Sequence, residues 1–531
     1  ITLIPALFWI VKASAPGMIE ATLTRQNISE NSNMNDIQIR QGTQLPDKKL
    51  IDRAPSVLFV TPVSPAVKVW RSLPYGERVR ERRRRSGRAG QNNDIFSTDL
   101  SNERGTQVLH VPFNPQSSSF ECLGRAREAI AKLAESDPSE YLIVLGGLAE
   151  DDNRRVAEAL VAAALARAAT LPSFKSKPKK AARLKRIRLM GAQTNDRLAR
   201  TQAEANGNAL ARELSVLPPN DLTPTTYRKR VEVLAKQYGW SMNFLDQKTL
   251  KRRGAGAFLA VVQGSPVPDA GIVHLSYRPK SGRGRGRVAL VGKGICYDTG
   301  GVNVKPNKFM LGMHEDMQGS AVALGTLLAL TELEVDFSVD CWLAIAMNHI
   351  GSRAYQPNDV VKAADGTTIE VIHTDAEGRM VLADTLTFAS KRNPSVIIDY
   401  ATLTGACVYS LGKSYSGVFS NQDDWMNLLI EAGRDSGERV WPFPQDEDYD
   451  RALESSVADI RQCSVDGEAD HIMAARFLRR FVKNDTPWVH IDLAASSRRG
   501  GLAHIPTDTT GFGVRYTLEL LLSKDLLART V

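Results

Sequence analysis

The chain reads as two α/β domains, a small one followed by a larger one. Three observations predict this. At 531 residues the chain exceeds what one ordinary hydrophobic core supports. Apolar residues make up 43% and charged residues 24%, the balance of a folded chain. Short apolar runs alternate with helical stretches, the order in which strands and helices build layers.

Taken in order, Ile1 to Val11 form an apolar run with Phe8 and Trp9, too short to span a bilayer and with no basic segment ahead of it. Residues 1–33 are read as an extension outside the chemistry, disordered or targeting. A mitochondrial or other organellar address is the alternative to a cytoplasmic chain. No later segment is long and apolar enough for a transmembrane helix, so no membrane partner is expected. Residues 34–195 fit the smaller domain. Its strands are read from residue 57, at Gln107 to Val111, at Tyr141 to Leu148 and at Arg186 to Gly191. Pro62 and Pro65 mark a turn after the first, and Arg78 to Asn93 reads as an exposed charged loop. Helices are expected at Glu121 to Leu133 and at the alanine-rich Arg155 to Ala169. Residues 197–216 look helical and stop at Pro218-Pro219, so 196–220 is assigned as a linker helix. Residues 221–531 form the larger domain. Val288 to Val291, Cys341 to Ala346 and Val396 to Asp399 are compact strands, each leading into glycine, asparagine or threonine-rich text. The crevice beyond the carboxyl ends of such strands is where α/β sheets bind ligands.

The formal net charge of +9 is concentrated in two runs, Arg78 to Arg88 and Lys175 to Arg188. Such runs meet nucleic acid or serve as solvated loops, and no aromatic and basic alternation marks a stacking surface. The five cysteines, at 122, 296, 341, 407 and 463, have neither the spacing nor the density of a disulfide or zinc framework. Reduced, buried thiols are expected.

Two clusters carry the chemistry. The first, V-G-K-G-I-C-Y-D-T-G-G at 291–301, holds Lys293 and Asp298 and is followed by Lys305 and Asp316. The second, H-T-D-A-E-G-R at 373–379, precedes a helical M-V-L-A-D-T-L-T-F-A. Carboxylates at 298, 316, 375 and 377 are too much negative charge to converge unneutralised. Divalent metals neutralise them and activate water; zinc, manganese, magnesium or cobalt would suit oxygen-rich donors. Fragment by fragment there are plainer readings. Asp-x-Glu-x-Arg also suits a helix N-terminus, and Lys293 could pair structurally with Asp298. The G-x-G at 292–294 lacks the later glycine of a dinucleotide fingerprint, and it does not match a P-loop, because no glycine-rich loop ends in Gly-Lys-Ser or Gly-Lys-Thr.

Together the clusters resemble the leucyl aminopeptidase family, also called cytosol aminopeptidase or M17. The resemblance is carried by Val291 to Gly301, Lys305, Met310 to Gly319, His373 to Arg379, Thr402 to Ala406, Trp488 to Ala494 and Thr510 to Arg515. It runs through roughly 205–520, whereas the first half resembles the family only in its element pattern. It implies a macro-like N-terminal α/β domain and a catalytic domain with a central mixed sheet covered by helices. It further implies that Asp298 and Glu377 bridge two metal ions, that Asp375 completes the looser site, and that Lys293, as a neutral amine, and Asp316 complete the tighter one. Lys305 would stabilise the gem-diolate oxygen, and Arg379 would hold a bicarbonate ion that relays a proton. Met310 and Met313 would wall the substrate pocket, with Thr402 and Leu403 bonding the peptide backbone. The implied activity is removal of leucine-like N-terminal residues from short peptides by a homohexamer, a dimer of trimers. Two positions depart from the family pattern, His373 for asparagine and His314 for lysine. His373 is read as a donor orienting Asp375, as an extra ligand, or, like His314, as an ordinary loop residue. The rival readings are a scaffold or DNA-binding protein that keeps the fold, and a metal-dependent phosphatase or nuclease.

Overall fold

The computed structural model describes residues 37–86, 94–178, 181–192, 194, 197–280 and 284–530. The proposed extension 1–33 lies outside these residues.

Six strands form the first sheet: β1 (Gln38–Gly42), β2 (Ser56–Pro62), β3 (Phe96–Asp99), β4 (Gln107–Phe113), β5 (Glu140–Leu145) and β6 (Arg186–Met190). Their order is β1-β6-β5-β2-β4-β3, parallel except for the edge strand β3. Alternate residues of each strand enter separate cores. Leu58 and Val60 pack with the helices α2 (Ser119–Leu133) and α3 (Glu150–Ala168), while Val57 and Phe59 pack with Trp70 and Val79. That alternation is what burial of both faces of a parallel sheet requires.

The charged segment read as a loop from Arg78 to Asn93 is instead a helix, α1 (Gly76–Arg85), over its first part; residues 87–93 lie outside the described residues. Arginine and glutamate are good helix formers, and the four arginines of the last turn favour the negative end of the helix dipole. Buried Val79 and Gly76 suffice to dock it. Part of each basic run is committed internally. Arg82 donates to Thr98, and Arg186 and Arg188 pair with Glu140 at 2.7 and 2.9 Å.

The larger half contains β7 (Ser241–Asp246), β8 (Gly271–Tyr277), β9 (Arg287–Asp298), β10 (Ser338–Asn348), β11 (Val360–Lys362), β12 (Thr368–Glu370), β13 (Val396–Ala401), β14 (Ser416–Ser420), β15 (Val440–Pro442), β16 (Ile460–Arg461) and β17 (Trp488–Asp492). Eight of them form a mixed sheet in the order β15-β14-β17-β13-β9-β10-β8-β7; β11, β12 and β16 form a small separate one. The central four, β17, β13, β9 and β10, are parallel, so their carboxyl ends open on one side. Helix α4 (Arg197–Ser215), the expected linker, packs along α5 (Gln318–Glu332) on one face; α6 (Glu377–Ser390) lies on the other.

β9 is longer than its apolar run. Lys293 and Asp298 lie within the strand rather than after it. The interruption at Gly292 does not end the strand, because α5 crosses it closely: a β-carbon there would sit 2.4 Å from Ser320 Cα. Among the described residues no helix is long and apolar enough to cross a membrane. All five cysteines are buried free thiols.

Candidate active site

The carboxyl ends of the four central strands supply the polar side chains. Asp298 ends β9, Asn348 ends β10, Asp492 ends β17, and the chain leaves β13 directly into Thr402 and Leu403. Tyr400 of β13 pairs with Gly292 of β9, which sets Lys293 level with the end of β13. Glu377 opens α6, where acidic side chains complement the exposed amide groups of a first turn.

These pieces converge. One carboxylate oxygen each from Asp298, Asp375 and Glu377 lie within 4.8 Å of one another. Lys293 Nζ lies 2.8 Å from Asp316 Oδ1 and 2.9 Å from Glu377 Oε1, and donates to Thr402 O. Lys305 Nζ lies 2.9 Å from Asp298 Oδ2 and 2.5 Å from Asp375 Oδ1. Lys293, Asp298, Lys305, Met313, Asp316, Asp375, Glu377, Thr402 and Leu403 all line one cavity of about 690 Å³. Met310 and Arg379 are not among its lining residues.

The electrostatics are those of a crowded acidic wall. Burial first, then Asp298 and Glu377, push the Asp375 carboxyl up to about 7. Burial and Asp298 also raise Glu377, and burial raises Asp316 well above the usual range despite Lys293. Fully ionised, four carboxylates against two ammonium groups would leave two negative charges in excess, and burial together with that charge raises these groups. Oδ2 of Asp316 is buried with no hydrogen-bond partner among the described residues. Excess charge, crowded oxygens and a free acceptor fit divalent cations. Burial works against the charge on Lys293, but Asp316, Glu377 and Asp298 outweigh it and raise its proton affinity. A neutral-amine ligand therefore requires a cation's charge to displace that proton.

Arg379 is buried behind this wall, its Nη2 2.7 Å from Asp470 and its Nη1 3.3 Å from Gln462 O. Its Nε has no hydrogen-bond partner among the described residues, so a small anion reaching it would find an unused donor. His373 is exposed, and its Nδ1 accepts a hydrogen bond from the Asp375 amide at 3.2 Å; it orients Asp375 as an acceptor, not as a donor. His314 sits half-buried in the turn before Asp316.

Several supporting residues are not among those the sequence singles out for the site. Asn348 Nδ2 donates to Asp298 Oδ1 at 2.8 Å and Thr374 O at 3.0 Å, and lies 3.4 Å from Glu377 Oε2. Asp492 accepts from Leu403 N and Thr404 Oγ1, fixing the loop after β13. Gln462 Oε1 accepts from the amides of Ile372 and His373.

Comparison with known proteins gives one consistent relationship. A model of the cytosol aminopeptidase family, catalytic domain, matches residues 209–518. A probable cytosol aminopeptidase of Synechococcus sp. (strain CC9311) is 35% identical over 85% of this chain and 91% of its own length. One from Stutzerimonas stutzeri (strain A1501) is 42% identical over 62% of this chain and 66% of its own. The solved structure of a lysine-to-glutamate mutant of tomato leucine aminopeptidase superposes with a TM-score of 0.80 at 26% identity, covering 94% of this chain and 99% of that one.

Proposed function

The chain belongs to the cytosol aminopeptidase family, and from that premise we propose that it removes the first residue, leucine-like ones included, from short peptides at a pair of divalent ions. It is a leucyl-aminopeptidase-like metallo-exopeptidase. The observation that carries the two-ion assignment is the meeting of four carboxylates and two lysines at the mouth of the central sheet. Asp298, Glu377, Asp375, Asp316 and, as a neutral amine, Lys293 would hold the ions. Zinc or manganese suits this donor set, with magnesium or cobalt as substitutes. When bound, the ions supply Lewis acidity and an activated water, and bicarbonate at Arg379 supplies a proton carrier.

The chain's own side chains orient and polarise the peptide. Its free amine is received at the Lys293–Asp316 end, where the acidic wall favours a positive or strongly polarised nitrogen. Lys305 donates to the scissile carbonyl oxygen as negative charge develops there. Backbone groups of Thr402 and Leu403, fixed by Asp492, align the peptide. Met313 gives the cavity a flexible apolar wall that accepts varied side chains. We extend to this chain the homohexameric assembly that the resemblance implies and the cytosolic location that its relatives' name carries. Protein loaded with manganese is expected to cleave a leucine anilide, and Glu377→Ala to abolish cleavage while the far-ultraviolet spectrum persists. Undiminished turnover in that variant would remove the assignment.

A further inference from the structure

We propose that the cavity also selects peptides beginning with arginine or lysine, through the carboxylate of Glu315. This deepens the aminopeptidase assignment and rests on it. A peptide seated with its amine at the Lys293–Asp316 end directs its first side chain into the wall beside Asp316, because one carbon carries both groups. Glu315, Gln318, Leu493, Ala494 and Ser497 line the cavity with Asp316. Glu315 closes the turn Met313–Glu315 that leads into Asp316.

Its carboxylate is held in place. Oε2 accepts from Ser497 Oγ at 2.5 Å and from Gln318 Nε2 at 3.2 Å, and the buried Gln318 also donates to Ser497 Oγ at 3.2 Å. Oε1 takes no hydrogen bond from any described residue, and no described cationic side chain lies within ion-pair distance. Lys413, the cavity's third lysine, is exposed beyond the helix Gly405–Leu411. The wall therefore pairs apolar Met313, Leu493 and Ala494 with one oriented, uncompensated acid. Arginine and lysine have that same division, an aliphatic stem and a cationic head. Leucine satisfies the apolar part and leaves the carboxylate without a cationic partner. A pocket that bonds a polar group discriminates more sharply than one that only measures size.

The test compares kcat/KM for arginine, lysine and leucine anilides on the manganese-loaded protein and its Glu315→Gln variant. The wild type is expected to cleave the arginine anilide at least as efficiently as the leucine one. Glu315→Gln is expected to lower the arginine-to-leucine ratio by about ten-fold, mainly through KM, as loss of a charge-assisted bond implies. Ser497→Ala, which releases the carboxylate without removing it, should lower the ratio less; it serves as the test if Glu315→Gln fails to fold. A ratio unchanged in the folded variants overturns the selection of basic residues. Absence of cleavage with all three anilides overturns the aminopeptidase assignment itself, and this proposal with it.

Discussion

Asn348 does for the acidic wall what no charged residue could, since its amide donates without adding charge. Its Nδ2 ties Asp298 to the Thr374 carbonyl and faces Glu377, so it fixes the spacing of two carboxylates of the candidate metal cluster. Groups that orient metal-binding side chains typically contribute 10–100-fold to affinity. Asn348→Ala is accordingly expected to weaken manganese binding by about that factor, measured by competition with a chelator. Equal affinity would mean that the carboxylates are positioned without it. The residues at 293, 298, 305, 316, 375 and 377 were legible because charge at close spacing stands out against the apolar text of buried strands. Asn348 and Gln462 were not, since they reach the site only through strand register and loop packing from positions 26 to 90 residues away from their partners. Asp492 stood inside the Trp488 to Ala494 motif, but its bonds to Leu403 and Thr404, 89 and 88 positions away, were not legible. The one available hint was that Asn348 directly follows an apolar run. Arg379 was legible as a motif residue, but its pairing with Asp470 was not, because the two are 91 positions apart.

Among the elements, the crossing of α4 and α5 places two glycines back to back. A β-carbon on Gly325 would lie 2.3 Å from Gly207 O, and one on Gly207 would lie 2.2 Å from Gly325 O. Backbone cannot yield there as a side-chain tip can. Gly325→Ala is expected to lower stability by about 1–3 kcal/mol, the usual range for overpacking, read from the denaturant midpoint. A second element-level prediction concerns β4 against α1. His110 is fully buried, with Thr61 Oγ1 at 2.9 Å and Arg83 Nη1 at 2.5 Å. Burial, reinforced by Arg83 and Arg125, pushes its pKa down to about 3. The unfolded chain protonates this histidine below about 6.5 while the folded one does not, so its share of stability is present above that pH and is lost as pH falls towards 3. From pH 6.5 to 5 the loss is about 2 kcal/mol. His110→Gln should flatten that part of the acid slope in urea titrations at the two pH values; an unaltered slope would place the titrating group elsewhere. The helix α1 that carries Arg83 escaped the sequence because its single buried side chain large enough to dock it, Val79, leaves no apolar stripe to count. The strands β4, β5, β9, β10 and β13 were found as continuous apolar runs, whereas short strands such as β15 and β16 offer too few residues for a period to show.

At the level of the whole molecule, ion binding and folding draw on the same structure. The acidic wall is assembled from β9, the turn before α5, the start of α6 and the loop after β13, so its oxygens are gathered only when the eight-stranded sheet is formed. A ligand that binds only the assembled wall stabilises it by mass action, about 2.7 kcal/mol when present at 100 times its dissociation constant. The six-stranded sheet contributes no side chain to the wall, yet it is tied to the larger half. Arg127 of α2 donates to the Gly500 and Ile505 carbonyls, and α4 is anchored by the Arg200–Glu519 and Arg515–Glu204 ion pairs. Two outcomes of a thermal scan are therefore distinct. If those ties couple the halves, manganese raises one common transition; if they do not, it raises only the transition of the larger half. Tryptophans separate the cases, because Trp240, Trp342, Trp425, Trp441 and Trp488 all lie beyond residue 239, whereas Trp70 packs in the smaller sheet's core. We expect the fluorescence transition of protein stripped of metal to rise on adding manganese, and Glu377→Gln to lose most of that rise because one carboxylate of the acidic cluster becomes a neutral amide. A transition indifferent to manganese in the wild type would show that no cation binds the folded wall, and the two-ion chemistry would fail with it.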